Sequence, residues 1–152
     1  MPNPITNLPG YHTVRDLVPD GSFLRCTELW RFTLEYYRDD CDALRRRMVL
    51  ELTPDRQAPV PDIVVVIMDS PVRIRFPDSS EILGLAFENI RDRDWEDSKW
   101  RVYDYEMSGF EVYCSSIRFE RRKSTEHGAS RNGGPATRSA DSGAGGGPPS
   151  VS

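Results

Sequence analysis

The sequence predicts an all-β or mainly β protein, with one or more antiparallel sheets of about six to seven strands joined by hairpins. Between Leu29 and Glu120, apolar and polar residues alternate in six segments with a period of two, the pattern of a half-buried strand. Pro, Gly, Asp and Ser separate these segments, as expected of turns between strands. A further run of six apolar residues, Ile63 to Met68, is too short for a helix and too β-branched to favour one.

The first hairpin is predicted from two alternating segments around an acidic turn. The first strand runs from about Cys26 to Tyr37, and the turn follows at residues 39–42. The second strand, Arg45 to Thr53, returns antiparallel to it. The apolar residues of one phase form the predicted core face: Trp30, Phe32, Leu34 and Tyr36 on the first strand, and Met48, Leu50 and Leu52 on the second.

The middle of the chain is predicted to be a loop followed by a buried strand. Pro54 to Pro61 contains three prolines, which cannot donate hydrogen bonds to a sheet. Ile63 to Met68 is either a strand covered on both faces or one end of a long strand that bends at residues 69–71. Beyond the bend, the apolar residues Val72, Ile74 and Phe76 alternate with Arg73 and Arg75.

The last strands follow a turn at residues 77–79. Ile82 to Phe87 alternates again, with Gly84 indicating a bulge or a close backbone approach. Trp100 to Tyr105 and Phe110 to Phe119 form the final hairpin. The apolar phase of its second strand shifts by one residue, which predicts a β-bulge around residues 114–116.

Both ends of the chain differ from this strand-rich body. Thr13 to Val18 is predicted to form a short N-terminal helix, which would begin near a Thr cap. Residues 124–152 hold seven of the eleven glycines and no aromatic residue, so they cannot bury enough apolar surface to offset the entropy of ordering. We therefore expect a single mainly β domain over residues 1–123 and a disordered tail over residues 124–152.

Composition limits the function classes. The formal net charge of −4 argues against binding to nucleic acid or an anionic membrane, since both need a positive surface. The N-terminus lacks the features of a signal peptide, and no apolar stretch approaches the ~18 residues of a membrane-spanning helix. Three scattered cysteines are unlike a disulfide framework. These features favour a cytoplasmic protein.

Residues for nucleophilic or metal chemistry are sparse. His12 and His127 are the two histidines, and His127 falls in the predicted tail. A base must be held within hydrogen-bond reach of its nucleophile, so His12 would have to serve alone. Cys26, Cys41 and Cys114 have no histidine neighbours and no Cys-x-x-Cys spacing. We expect no cofactor, no metal site and no catalytic residue, although two convergent carboxylates would escape detection in the sequence.

The charged loop Arg91 to Lys99 is the first candidate binding segment. Asp92, Asp94 and Glu96 recur at every second position, which would bring three carboxylates together in a Ca²⁺ loop. Arginines are interleaved with them, and the glycine and distal glutamate of an EF-hand are missing. Local ion pairing in a solvated loop and contact with a partner are the alternative interpretations.

Aromatic residues at polar positions extend this candidate site. Trp95 lies in the charged loop, while Tyr37 and one of Tyr103 or Tyr105 fall on polar-side phases of strands. Exposed aromatics beside charges are typical of recognition hot spots, although ordinary edge packing gives the same pattern. The predicted partner-binding residues are Asp92, Asp94, Trp95, Glu96, Tyr37 and Tyr103. Clustered arginines at residues 45–47, 73, 75, 121 and 122 predict a solvent face with weak ion pairs rather than a phosphate-binding stripe.

Three segments together carry a family resemblance. These are Val72 to Phe76 (Val-Arg-Ile-Arg-Phe), Ile82 to Ile90 (Ile-Leu-Gly-Leu-Ala-Phe-Glu-Asn-Ile) and Phe110 to Phe119 (Phe-Glu-Val-Tyr-Cys-Ser-Ser-Ile-Arg-Phe). In this order, within a strand-rich body, they resemble small bacterial proteins of the immunity protein 50 type and related uncharacterised families. The resemblance covers roughly residues 29–120 and transfers no site residue. It implies a protein that neutralises a toxin exchanged between bacteria.

Two functional hypotheses follow. The first is a non-enzymatic cytosolic immunity factor whose acidic surface binds another protein, such as a basic toxin domain. The second is a β scaffold that binds a small molecule or acts as a hydrolase, with aromatic residues lining a pocket. A deep pocket with two convergent carboxylates favours the second, and a flat aromatic patch with an acidic rim favours the first.

Overall fold

The computed structural model describes residues 4–76, 82, 84–95, 97–106 and 109–124, and within them it confirms a mainly β protein. The strands form two antiparallel four-stranded sheets. Sheet A has the order β1-β2-β3-β8, and sheet B has the order β4-β7-β6-β5. The strands are β1 (Glu28–Arg38), β2 (Leu44–Thr53), β3 (Asp62–Asp69), β4 (Val72–Arg75), β5 (Leu85–Asn89), β6 (Trp100–Asp104), β7 (Glu111–Cys114) and β8 (Ser116–Lys123).

The strand count exceeds the predicted six to seven because two long strands bend from one sheet into the other. β3 passes into β4 through Ser70 and Pro71, and β7 passes into β8 through Ser115. The bent strand predicted after Ile63 to Met68 is therefore confirmed, as is the change of phase near Cys114. Both bends lie side by side, since Ser115 donates its backbone N–H to the Asp69 carbonyl oxygen at 2.9 Å.

The N-terminal segment covers one end of the sandwich. It contains a four-residue helix, α1 (Tyr11–Val14), between 3₁₀ turns at Pro4–Asn7 and Pro19–Gly21. The helix begins two residues before the predicted Thr13, after Gly10 in the left-handed conformation (φ 82°). A Cβ atom on Gly10 would lie 1.8 Å from the carbonyl oxygen of Phe119, so only glycine lets the segment approach β8. Within the described parts of the chain, no helix has the length and apolar character needed to span a membrane.

The main core lies between the two sheets and beneath the N-terminal segment. Met48, Leu50 and Leu52 of β2 are fully buried, as their phase predicted. Leu85 and Phe87 of β5 also point inward as expected. The other core residues come from all three layers: Ile5, Tyr11, Val14, Val18, Phe23, Cys26, Val64, Val66, Met68, Ile82, Trp100, Val102, Phe110, Val112, Cys114, Ile117 and Phe119.

The prediction that one face of β1 is buried in the core is wrong. Phe32 and Leu34 stand opposite the buried Leu50 and Met48, so they lie on the expected face of sheet A. They are nevertheless 42% exposed, and Tyr36 is 64% exposed. β1 is the edge strand, and sheet B does not extend far enough to cover it. Alternation gives the face of a residue but not the width of the opposing layer.

The prediction that Trp30 shares this face is also wrong. A register shift between Leu29 and Arg31 brings Trp30 to the outer face of sheet A. There it packs with Val49 against Ile63, Val65 and Ile67. β3 is thus buried on both faces, as its continuous apolar run predicted, and the second face forms a small core of its own.

β4 breaks the predicted alternation of Val72, Ile74 and Phe76. Arg73 has a φ of 53°, and the register with β7 shifts between Val72 and Arg75. Val72 is consequently exposed, while Ile74 and Phe76 are half-buried at the margin of the core. Gly84 makes the predicted close backbone approach, because a Cβ there would lie under 3.0 Å from the side chains of Tyr105 and Glu106.

The domain end lies close to the predicted boundary. Ser124, which was assigned to the tail, is buried, and its backbone N–H donates to the carbonyl oxygen of Pro61 at 3.1 Å. The rest of the predicted tail, residues 125–152, lies outside the described residues. So do the predicted turn at residues 77–79, and Met107 and Ser108 between the two strands of the final predicted hairpin.

The corrected burial of β1 is tested by two phenylalanine truncations. Phe110→Ala should lower the free energy of unfolding by about 3–5 kcal/mol, because the ring is fully buried and its loss leaves a cavity. Phe32→Ala should cost less than about 2 kcal/mol, since the half-exposed ring loses mainly its contact with Phe76. Denaturant unfolding of both variants measures this, and equal losses would contradict the exposed position of Phe32.

Candidate functional site

The loop between β5 and β6 is fixed at its base on the sheet. Ile90 is fully buried, and its backbone N–H donates to the carbonyl oxygen of Lys99 at 2.9 Å. The Lys99 N–H donates in turn to the carbonyl oxygen of Cys114 on β7, also at 2.9 Å. The charged loop predicted from the sequence therefore begins and ends at defined points beside β7.

A tight turn positions Trp95 on the outer face of sheet B. A 3₁₀ turn, Arg91–Arg93, leads into Asp94, which has a φ of 50° and reverses the chain. The Ser98 N–H donates to the Trp95 carbonyl oxygen at 2.9 Å, closing the next turn. The indole lies against the ring of Tyr113, with ring centres 5.3 Å apart, and remains 40% exposed.

An open cleft of about 430 Å³ lies where this loop meets β4 and β7. The guanidinium carbon of Arg73 lies 5.5 Å from the centre of the Trp95 ring, within the range of a cation–π contact. Two residues of the cleft, Arg73 and Asp94, have positive φ angles, which side chains other than glycine rarely adopt. Its described lining residues are Val72, Arg73, Asp94, Trp95, Ser98 and Tyr113.

A charged ladder of alternating arginines and glutamates lies on the outer face of sheet B; its members are Arg93, Glu88, Arg101, Glu111 and Arg75. Glu111 accepts hydrogen bonds from Arg101 at 2.7 Å and from Arg75 at 2.8 Å. Arg101 also donates to Glu88 at 3.2 Å, and Glu88 pairs with Arg93 of the loop. Burial opposes ionisation of Glu111, but the hydrogen bonds from the two arginines outweigh it and hold the pKa of Glu111 below its ordinary value.

Tyr103 belongs to the same outer face but not to the cleft. The guanidinium carbon of Arg101 lies 4.0 Å above its ring, so the phenol is partly covered. Tyr103 lines a smaller hollow of about 230 Å³, together with Tyr105 and Glu111. The predicted site residue is thus half-buried and separated from Trp95 by the charged ladder.

Tyr37 lies on the other sheet. Its ring stacks beneath Arg47, with 3.9 Å between the ring centre and the guanidinium carbon. Its hydroxyl donates to Oδ1 of Asp69 at 3.3 Å. Because Arg47 and Asp69 belong to sheet A, Tyr37 is on the outer face of sheet A and does not join Trp95 in one site.

The three acidic residues of the loop have different positions. Asp92 is exposed on the 3₁₀ turn, Asp94 lines the cleft, and Glu96 lies outside the described residues. Among the residues that the structure describes, no group of three or more His, Cys, Asp or Glu side chains could hold a metal ion. One described ion pair of this loop joins it to sheet B, between Arg93 and Glu88 of β5.

The arginines of the predicted basic stripe make similar pairs. Arg45 contacts Asp39 at 2.7 Å, and Arg121 contacts Asp62 at 3.2 Å. Asp39 lies in the turn before β2, and Asp62 lies on β3, beside the strand of Arg121. The expected solvent face with ion pairs is therefore present.

Sequence reasoning did not place Tyr113, Arg73, Val72 and Ser98 in the site. Tyr113 alternates with the buried Val112 and Cys114, so its outward direction was available from the period of two. The alternating pattern predicts a regular strand through Val72 and Arg73. An arginine gives no sign of the positive φ that interrupts the strand there. Ser98 lines the cleft because the turn after Trp95 brings it there.

Within the described residues, His12 and the three cysteines lie in different segments of the chain. His12 is exposed on α1. Cys26 and Cys114 are buried in the core. Desolvation raises the pKa of Cys26 to about 12 and also raises that of Cys114, so both thiols are protonated near pH 7. Cys41 is exposed in the turn between β1 and β2.

Comparison with known proteins gives no relative. No family model matches the chain, and no curated protein and no solved structure is significantly similar to it.

The charged ladder predicts a specific pH dependence. Since the pKa of Glu111 is lowered on folding, its ionisation stabilises the folded protein above the ordinary value of 4.5, and this contribution is lost as pH falls through the lowered pKa. Glu111→Gln should therefore lower the free energy of unfolding at pH 6–7. In acid, the substitution should have no effect on it. Free energies of unfolding of the unmodified chain and of the variant, measured across pH 2–7, test this. A difference that stays constant with pH would contradict a stabilising role for the Glu111 carboxylate.

Proposed function

We propose that this chain is a non-enzymatic protein-binding domain that acts as a cytosolic immunity factor and neutralises a bacterial toxin. The observation that carries the proposal is Trp95, a large aromatic side chain held half-exposed beside a cleft by Tyr113 and Arg73. Such a ring binds a partner at low entropic cost because its orientation is already fixed. Tryptophan is also enriched among the residues that dominate binding energy.

The charge around Trp95 fits a basic partner. Asp94 lines the cleft, and Asp92 is exposed on the preceding turn. Three arginines of this face, Arg75, Arg93 and Arg101, already contact acidic side chains. Arg73 lies over the Trp95 ring. With a formal net charge of −4, the chain would attract a positively charged toxin domain over a distance set by salt.

A second function, binding of a small molecule, is favoured by the size of the cleft. Its volume of about 430 Å³ falls within the range of small-molecule sites, and a stacked tryptophan and an arginine would suit a planar anion. A hydrolase would require converging catalytic groups, and the described lining contributes one carboxylate, Asp94. We therefore rank protein binding first.

The proposal is tested with the product of the adjacent gene. Co-expression of the full chain with a toxin domain encoded there should restore growth that the toxin alone prevents. The two purified proteins should form a complex in solution. If the chain neither protects the cells nor forms a complex, it is not the immunity factor for that toxin.

The role of Trp95 predicts a selective loss of binding. Trp95→Ala should weaken the complex by about 2 kcal/mol or more, the cost of truncating a hot spot. Its effect on the free energy of unfolding should stay below about 1.5 kcal/mol, because the ring loses only a surface aromatic contact. Tyr105→Ala is the control, since this exposed ring lies outside the cleft. Binding by calorimetry and unfolding by denaturant separate the two effects.

The acidic residues should affect the rate of association. Asp92→Asn combined with Asp94→Asn should slow association several-fold at low salt and flatten its salt dependence, since these charges act at the rim. The dissociation rate should change little. Asp40→Asn with Asp42→Asn removes the same charge from the β1–β2 turn and serves as the control. Equal effects of both pairs would mean that net charge, rather than the loop, steers association.

A further inference from the structure

The cleft beside Trp95, called the Trp95 cleft below, holds an exposed arginine whose charge the fold leaves unpaired. Among the residues that the structure describes, no carboxylate lies within ion-pair distance of Arg73, whose recorded contact is with the Trp95 ring. Arg75 on the same strand differs, since its guanidinium lies 2.8 Å from the Glu111 carboxylate. The charge of Arg73 is therefore available to an anion from solution.

The contact with Trp95 restricts the orientation of the Arg73 donors before any ligand binds. The guanidinium carbon lies 5.5 Å from the centre of the indole, which is itself supported by the ring of Tyr113. A guanidinium is planar, and its N–H donors form a rigid fork that matches the two oxygens of a carboxylate. Because the fork is already held against the indole, binding costs less conformational entropy than it would for a mobile arginine.

The backbone is strained at two lining residues that come from different elements. Arg73 on β4 has a φ of 53°, and Asp94 in the loop has a φ of 50°. Non-glycine residues in this region persist only where the surrounding structure holds them, and they cluster at ligand sites. In the described lining, these two strained residues are also the two with charged side chains.

Asp94 limits the charge that a ligand of this cleft can carry. Its exposed carboxylate lines the cleft with Arg73, which is the one arginine of the described lining. A phosphate monoester would bring a second negative charge beside Asp94, with no second cation of that lining to offset it. A carboxylate carries a single charge and accepts two parallel hydrogen bonds from a guanidinium. The lining therefore favours a monocarboxylate over a phosphate.

The remaining lining favours a compact apolar group on that carboxylate. Val72 is 39% exposed and Trp95 is 40% exposed, so a ligand that covers both removes apolar surface from water. Ser98 adds a hydroxyl group that can donate to a carboxylate oxygen. The volume of about 430 Å³ lies near the lower end of the range for small-molecule sites, which suits a single ring.

We propose that the Trp95 cleft binds a small monocarboxylate on an apolar ring, with the carboxylate on Arg73 and the ring against Val72 and Trp95. The proposal uses the same cleft as the proposed function but does not rest on a toxin partner. The chain alone tests it. Failure to bind a carboxylate would leave the toxin assays standing, and failure to bind a toxin would leave the carboxylate site standing.

Benzoate added to the full chain is the direct probe, read by the indole N–H signals of the three tryptophans in nitrogen–proton correlation spectra. The Trp95 signal, assigned with Trp95→Phe, should shift and approach saturation by about 20 mM benzoate in a buffer free of carboxylate and phosphate. Trp30, on the outer face of sheet A, should not shift. A Trp95 signal that does not respond would overturn the proposal.

Matched probes separate the contributions of charge and ring. Benzamide keeps the ring without the charge, and acetate keeps the charge without the ring. Each should bind at least about tenfold more weakly than benzoate. Phenyl phosphate should also bind more weakly, because its second charge faces Asp94. Equal binding of benzamide, or tighter binding of phenyl phosphate or benzylammonium than of benzoate, would overturn the monocarboxylate assignment.

Substitutions of the two charged residues test their opposite roles. Arg73→Gln should weaken benzoate binding at least about tenfold. Arg91→Gln, which removes the same charge from the first turn of the loop outside the described lining, should leave it unchanged. Asp94→Asn should strengthen phenyl phosphate binding several-fold, a gain that an unfolded chain cannot produce, and asparagine tolerates a positive φ. Unchanged benzoate binding in Arg73→Gln, or no gain in Asp94→Asn, would overturn the proposal.

Discussion

The continuous ladder through the two adjacent bends of the chain is the constraint on which both sheets depend. The pairing of β3 with β8 at Asp69 and Ser116 continues without a shift to Val72 and Tyr113, so one two-stranded ribbon passes from sheet A into sheet B. Ser115 donates both its N–H and its hydroxyl to the Asp69 carbonyl oxygen, and the Ser116 hydroxyl donates to the Asp69 carboxylate at 2.9 Å. These bonds satisfy backbone and side-chain polar groups at the point where the two sheets separate, so the ribbon can bend across the core.

This bend determines which surfaces stay open. Sheet B continues from the ribbon in the direction of β6 and β5, and the core follows it beneath the N-terminal segment. Sheet A continues in the direction of β2 and β1, where the exposure of Phe32 shows that the opposing layer ends. The short, distorted β4 lies at the same limit. Arg73 on this strand has a left-handed backbone conformation, and its guanidinium lies over the ring of Trp95. The half-exposed apolar side chains of β1 and the aromatic cleft therefore have one cause, the unequal extension of the two sheets from a shared ribbon.

The sequence predicted what depends on local alternation and failed where tertiary extent decides. Leu50 and Phe32 carry the same signal, an apolar residue in the inward phase, yet Leu50 is buried and Phe32 is half-exposed because sheet B covers only one of them. Trp95 was located correctly in a charged loop, but its support by Tyr113 depends on the β5–β6 loop reaching β7, a contact distant in sequence. Arg73 was unpredictable for another reason, since a positive φ in an arginine is imposed by its surroundings and is not favoured by the residue.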